Sequence, residues 1–300
     1  MRNGYSFRHY IFDLLDYLAI GLKRVSVIVP NYNYERYQPE RLQTIRDQTY
    51  PAYEIVYLDD CSSDNSVAVA EAILKNQPVD WRLVRNVQNS GSVFLQWQKG
   101  VELAKGDYVW LAEADDSSEP EFLEELLKPF DDPEVVLSYC ESKQLDEQGN
   151  VLAKNYLDYV FDISAVRWTR PYVVDGIEEI RSALSIKNTI PNVSGVLLKR
   201  SCLKEVLVGH INDICSFRIA GDWFVYVLLL RHGKLAFTNR PLNGHRRHSQ
   251  GVTIGAAAKG HLNEIVRMQE IVAREFSIAP TEQKLATEYT KKLKIQFKLA

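Results

Sequence analysis

Over the first 116 residues, short and wholly apolar runs alternate with stretches of helical spacing. Residues 24–30 (RVSVIVP), 53–59 (YEIVYLD), 82–87 and 107–112 (DYVWLA) are rich in β-branched and aromatic residues and predict buried strands. Helices are expected between them, over about 39–48, 66–76 and 93–104. Strand–helix alternation with short connections predicts an α/β fold, a mainly parallel sheet flanked by helices. The second half is less regular. Strands are expected at 135–141, at 151–160 after the Gly149-Asn150 turn, at 193–199 and at 235–239. Helices are expected at 175–185 with Asp175 as cap, after Ser201, and at 221–231 with Gly233 closing the end. Residues 241–251 read as a polar loop, and from Gly260 the chain reads as two helical segments broken at Ala279-Pro280.

Polar residues collect where these strands end: Asn31 and Asn33, Asp59 and Asp60, Asn89, then Glu113 and Asp115. In a parallel sheet those ends share one edge, and ligands of open α/β sheets bind there. Side chains two apart in an extended segment point the same way, so Glu113 and Asp115 can face one site while Asp116 points elsewhere. Hard oxygen ligands of this kind suit Mg²⁺ or Mn²⁺. The plainer alternative is a polar turn before Pro120, with Ser117 or Ser118 as N-cap. Neither G-x-G-x-x-G after the first strand nor G-x-x-x-x-G-K-[ST] occurs, so a dinucleotide fold and a P-loop are unsupported.

Composition narrows the classes. An apolar content of 46% allows a real core, and a net charge of −3 gives no sign of a nucleic-acid partner. Cys61, Cys140, Cys202 and Cys215 are scattered with no C-x-x-C pair, which argues against a zinc site or a disulfide framework and for a reducing cytoplasm. No apolar run approaches the ~18 residues of a membrane span, and no signal peptide is recognisable. The aromatic stretch 5–22 reads either as a helix packed on the main domain or, as favoured here, the tail of a larger polypeptide. The last segment sets Lys284, Lys291, Lys292, Lys294 and Lys298 beside Leu285, Leu293, Ile295 and Phe297. Such a helix can lie on the anionic inner face of a membrane as a peripheral contact, although a solvated face on a docking helix is the more ordinary reading.

Four ordered pieces resemble glycosyltransferase family 2, of the GT-A fold: RVSVIVPNYNYERY, RLQTIRDQTYPAYEIVYLDDCSSDNS, NSGSVFLQWQKGVELAKGDYVWLAEADD and GDWFVYVLLLRHGKLAFTNRPLNGHRRHSQGVT. The similarity runs from about residue 24 to about residue 253. It implies transfer of a sugar from a nucleotide-diphosphate donor to a saccharide or lipid-linked saccharide acceptor in bacterial surface polysaccharide biosynthesis, with Mn²⁺ or Mg²⁺. By this resemblance Pro30, Tyr32 and Asn33 flank the nucleotide, with Asn89 nearby. Asp60 reads the base edge. Glu113-Ala-Asp115 stands in place of the family's D-x-D, with Glu113 as oxygen ligand or ribose contact and Asp115 on the metal. Asp222 resembles the base of an inverting displacement, where an attacking hydroxyl must lose its proton. His248 resembles the histidine that completes the metal or diphosphate site, and Arg246 or Arg247 balances the phosphates.

Each residue also has an ordinary reading. Asp222 and Asp60 can be helix caps. His245 reads as an exposed loop histidine, Lys99 as part of a solvated helix face, and Trp97 and Trp110 as core. Trp223, beside the candidate base, is the residue expected to stack on an acceptor sugar. The expected boundaries are an N-terminal extension or linker at 1–23, a GT-A domain at 24–255 and a C-terminal helical extension at 256–300. Two other functions compete. A nucleotidylyltransferase needs a glycine-rich basic loop after the first strand, which PNYNYE does not supply. A non-catalytic scaffolding module of a polysaccharide-assembly complex is opposed by the presence of Asp222 and His248.

Overall fold

The computed structural model describes residues 21–76, 78–248 and 258–299, so the aromatic segment expected at 5–22 falls almost wholly outside the described residues. In the first half, β1 (Val25–Asn31), β2 (Glu54–Asp59), β3 (Asp80–Arg85) and β4 (Tyr108–Leu111) lie side by side as β3-β2-β1-β4, all parallel. Three helices connect them: α1 (Gln38–Arg46), α2 (Ser66–Leu74) and α3 (Val93–Leu103). Side chains alternate across β1. Val27 and Val29 pack in one layer with Leu42, Ile45, Ala70 and Leu74, while Ile28 packs in the other with Phe94, Trp97 and Val101. Because both faces are covered, the strand is apolar throughout, as the sequence predicts. Helix α3 lies close on β1. A Cβ added at Gly100 would stand 2.5 Å from Ile28 Cγ2, so only glycine permits this approach.

Beyond β4 the sheet becomes mixed. The elements are β5 (Ser117–Ser118), α4 (Phe122–Leu127), β6 (Val135–Leu145), β7 (Val151–Ala153), β8 (Tyr172–Asp175), β9 (Val196–Lys199), α5 (Arg200–Cys215), α6 (Gly221–Leu229) and β10 (Lys234–Arg246). Strand β9 runs antiparallel between β4 and β6, and β10 runs parallel to β6. Residues 241–246, expected as loop, instead continue β10. Register shifts around Pro241 absorb the residue that cannot donate to a ladder, and pairing then resumes from Asn243 to Arg246. The return strand expected over 151–160 is short, giving way to a helical turn at Leu157–Val160. Asp175 does cap its helix, accepting from the N–H groups of Ile177 and Glu178.

The chain closes with α7 (Ala258–Glu275) and α8 (Pro280–Gln296), separated where the Ala279-Pro280 break was expected. Leu262, Ile265, Met268, Val272 and Leu293 from this pair enter the same apolar cluster as α6.

Candidate active site

The site is built from the carboxyl ends of the strands. At the end of β1, Pro30 is buried in register with Leu58. Asn31 donates to Asp59 at 2.9 Å and accepts from Gln38 at 2.7 Å. Asn33 takes a left-handed conformation (φ 58°), and its Oδ1 accepts from the N–H of Ser63 at 2.8 Å, tying the loops after β1 and β2 together. Tyr32 projects into solvent, 48% exposed. Asp60 is 5% exposed and caps no helix; the carboxylate of Asp64 takes the N–H of Ser66 at the start of α2. The Asp60 carboxylate instead accepts from Asn86, from the N–H and hydroxyl of Ser90, and from Gln96. Asn89 donates to the Asp60 carbonyl and accepts from Gly91, which shapes the loop after β3. Lys99, expected in solvent, bonds the Oδ1 of Asn86 at 2.5 Å and so supports the same network.

After β4 the three acids diverge. Glu113 accepts from the indole N–H of Trp97 at 2.9 Å. Burial, reinforced by Asp115, pushes its carboxyl up to about 8. Asp115 meets His248 Nε2 at 2.7 Å, and this contact pushes the imidazole pKa up. Asp116 turns inward, 2% exposed, and accepts from the N–H of Arg246 and from Asn192. Its carboxyl is pushed up to about 6, by burial first and then by Asp115. The ring of His248 stacks on Tyr34, with centroids 5.9 Å apart, and meets the edge of Tyr37.

Two expectations about this loop are corrected. The Arg246 side chain is only 1% exposed; its guanidinium bonds Glu40 and the carbonyls of Asp115 and Asp146. It is a clamp between segments, with all three of its nitrogens bonded to protein oxygens. His245 is not an exposed loop residue. It lies on β10, bonded to the Tyr156 hydroxyl at 2.6 Å, and burial pulls its pKa down to about 3.

Asp222 stands in the first turn of α6. It is not the N-cap, a position held by Ala220. Its Oδ1 accepts from the N–H of Trp223 at 2.7 Å and its Oδ2 from Asn188 at 3.2 Å. Burial pushes its carboxyl up to about 7, with those two donors opposing the shift. Trp223 does not fit the stacking role. It is 2% exposed, with its indole N–H on the carbonyl of Leu184 at 3.0 Å, and so belongs to the core.

Helix α3 joins these pieces. Gln96 reaches Asp60 and Trp97 reaches Glu113. Phe94 lies against the start of the Asp222 helix so closely that a Cβ on Gly221 would sit 2.3 Å from its ring. One turn of helix thus connects the strand-end acids of the first half with the carboxylate of the second. Among the described residues no cluster of three or more His, Cys, Asp or Glu is arranged to hold a metal alone. Asp115 and His248 nonetheless pair a hard oxygen with an imidazole nitrogen, a donor set that fits Mg²⁺ or Mn²⁺ when diphosphate oxygens and water complete the shell.

The sequence model of glycosyl transferase family 2 matches residues 26–191, more than half of the chain. The chain belongs to glycosyltransferase family 2. It is similar to the glycosyltransferase GlyG of Streptococcus pneumoniae, 33% identical over 231 residues that cover 76% of this chain and 72% of GlyG. Its fold matches that of TarS 1–349 of S. aureus in complex with UDP-GlcNAc, with a TM-score of 0.65 and 16% identity, covering 91% of this chain and 73% of that one. It also matches the mannosyltransferase PcManGT of Pyrobaculum calidifontis in complex with GDP-Man and Mn²⁺, with a TM-score of 0.58 and 16% identity, covering 95% and 78%. The architecture is therefore the GT-A fold that these structures share.

Sequence reasoning missed several residues of this family 2 transferase. Asn188 lies in a segment without periodicity. Arg41 is fully buried in α1, its guanidinium 4.7 Å over the Trp110 ring and facing the charges of Asp116, Asp115 and Glu113. Among the described residues its guanidinium nitrogens find no acceptor, and burial pulls its pKa down to about 10. Its place in the helical pattern was the one available signal, since a charged residue at a core position of α1 demands a reason.

Proposed function

We propose that this glycosyltransferase moves a sugar from a nucleotide-diphosphate donor to a saccharide or lipid-linked saccharide acceptor with inversion, Asp222 serving as general base. The observation that carries the reading is the span of α3, whose Phe94, Gln96 and Trp97 touch the Asp222 helix, Asp60 and Glu113. Asp222 takes the proton of the attacking acceptor hydroxyl. The new glycosidic bond forms as the bond from the anomeric carbon to the diphosphate breaks, and the diphosphate leaves with the electron pair. A carboxyl raised to about 7 is a stronger base than an ordinary carboxylate and is still half ionised at neutral pH.

Asp115 and His248 would hold Mn²⁺ or Mg²⁺, which stabilises charge on a departing diphosphate. Tyr32, Asn33, Asp60 and Asn89 shape the nucleotide side, with Pro30, the next-to-last residue of β1, beneath them. Glu113 would serve as an oxygen ligand or a ribose contact. The unit at 24–255 would carry the chemistry and the helices at 256–300 would extend it. No described helix is long and apolar enough to cross a membrane. Exposed Ile295 and Leu299 beside Lys291, Lys294 and Lys298 suit a peripheral contact with anionic lipid at the inner membrane face, where a lipid-linked acceptor would be found.

A thermal-shift panel of nucleoside diphosphates, each with and without Mn²⁺, tests the donor side. A metal-dependent rise with one nucleotide supports the reading, since a ligand bound to the folded state raises its apparent stability. No shift with any nucleotide overturns it.

A further inference from the structure

The two C-terminal helices reach the surroundings of Asp222 from two directions. From α7, the Glu264 carboxylate accepts from three successive backbone N–H groups, those of Arg218, Ile219 and Ala220, at 2.9, 2.8 and 2.9 Å. These donors belong to the segment that leads into α6 through its N-cap Ala220, so a carboxylate from another helix pins the entry to the Asp222 helix. Also from α7, Gln269 donates to the Ile186 carbonyl at 2.8 Å and accepts from Thr290 of α8 at 3.0 Å. From α8, Tyr289 comes within 3.4 Å of the Tyr159 hydroxyl, which donates to the Asn188 carbonyl at 3.0 Å. The ammonium of Lys187 lies between those two rings, 4.5 and 4.7 Å from their centroids. The segment so gripped ends in Asn188, whose side-chain carbonyl accepts from the N–H of Ile190. That bond fixes the flip of the amide and aims its NH₂ at Asp222 Oδ2.

We propose that the C-terminal helical pair is part of the catalytic apparatus, and that Asn188 and Glu264 are positioning residues that fix the place and ionisation of the Asp222 carboxylate. The proposal rests on Asp222 being the base. The two residues act with opposite sign. Asn188 donates a hydrogen bond that favours the ionised carboxylate, whereas Glu264 is a second negative charge that opposes it. Among the described residues the Tyr159 and Tyr226 hydroxyls also feel the Asp222 charge. Both are held far above neutrality by burial, so neither titrates in the working range.

The test is the pH profile of kcat/KM with saturating Mn²⁺ for the full chain and for Asn188→Ala, Glu264→Gln and Asp222→Asn, with thermal unfolding of each. Asn188→Ala is expected to lower kcat about 10–100-fold, as misplacement of a reacting group does, and to leave the donor KM within about twofold. It moves the acidic limb to higher pH. Glu264→Gln lowers kcat as well but moves the limb to lower pH. A loss of fold would lower kcat in both without this opposite displacement. If Asp222→Asn is inactive while both limbs coincide with that of the unaltered chain, the positioning roles are overturned. If Asp222→Asn itself retains turnover, the base assignment fails instead.

Discussion

Replacing Asp222 by Asn should make the protein more stable and nearly inactive. The Asp222 carboxyl is raised from 3.8 to about 7 by burial. Above the unfolded value and below the folded one, the native chain holds a proton that the unfolded chain gives up. Stability therefore falls as pH rises from about 4 through about 7. Three units correspond to a ceiling of about 4 kcal/mol. Asn resembles the protonated form and never takes on the charge. Against that, its NH₂ must face either the N–H of Trp223 or the amide of Asn188, which loses one hydrogen bond worth about 1 kcal/mol. The net gain at pH 8 is about 1–3 kcal/mol, a rise of a few degrees in Tm. At pH 4 the gain vanishes, because the wild-type carboxyl is then protonated. Turnover should fall about 10²–10⁴-fold, as expected when a general base is removed. Differential scanning calorimetry at the two pH values, with initial rates on the same samples, decides it. A variant no more stable than wild type at pH 8, or one keeping a tenth of its activity, would refute the reasoning.

Gly221→Ala should cost about 1–3 kcal/mol in urea unfolding, because its methyl would stand 2.3 Å from the Phe94 ring. A neutral result would show that Phe94 has room to move. Trp223→Phe removes the bond to the Leu184 carbonyl and should cost about 1–3 kcal/mol while the acceptor KM stays within about twofold. A large KM change would return Trp223 to the acceptor site. Asp115→Asn should abolish the Mn²⁺-dependent part of the nucleotide thermal shift, and an undiminished shift would place the metal elsewhere. Changing Lys291, Lys294 and Lys298 together to Glu should release the protein from anionic vesicles in co-sedimentation, and equal partitioning would remove the lipid contact.

The first half of the fold was legible because its strands are buried on both faces and its helices repeat regularly, so periodicity and the polar strand ends named the elements in order. The second half was less so. The extension of β10 through Pro241 depends on register shifts that only a paired partner strand reveals. At the site, Glu113, Asp115 and His248 carried recognisable chemistry. Arg246 carried the same signal of charge and motif, yet its guanidinium is spent on Glu40 and two carbonyls. Trp223 failed for a similar reason: position beside a candidate base says nothing about which way an indole turns. Asn188 and Glu264 were invisible because their role exists only through partners far away in the chain.

The placement of β9 decides where this protein can be cut. The family match ends at residue 191, whereas β9 begins at Val196 and is the filling between β4 and β6. A fragment stopped at 191 would present two bare strand margins in the middle of its own sheet, each free to capture another chain. Such a piece should be recovered as insoluble aggregate. The portion that best identifies the protein by sequence is therefore not a portion that can stand alone.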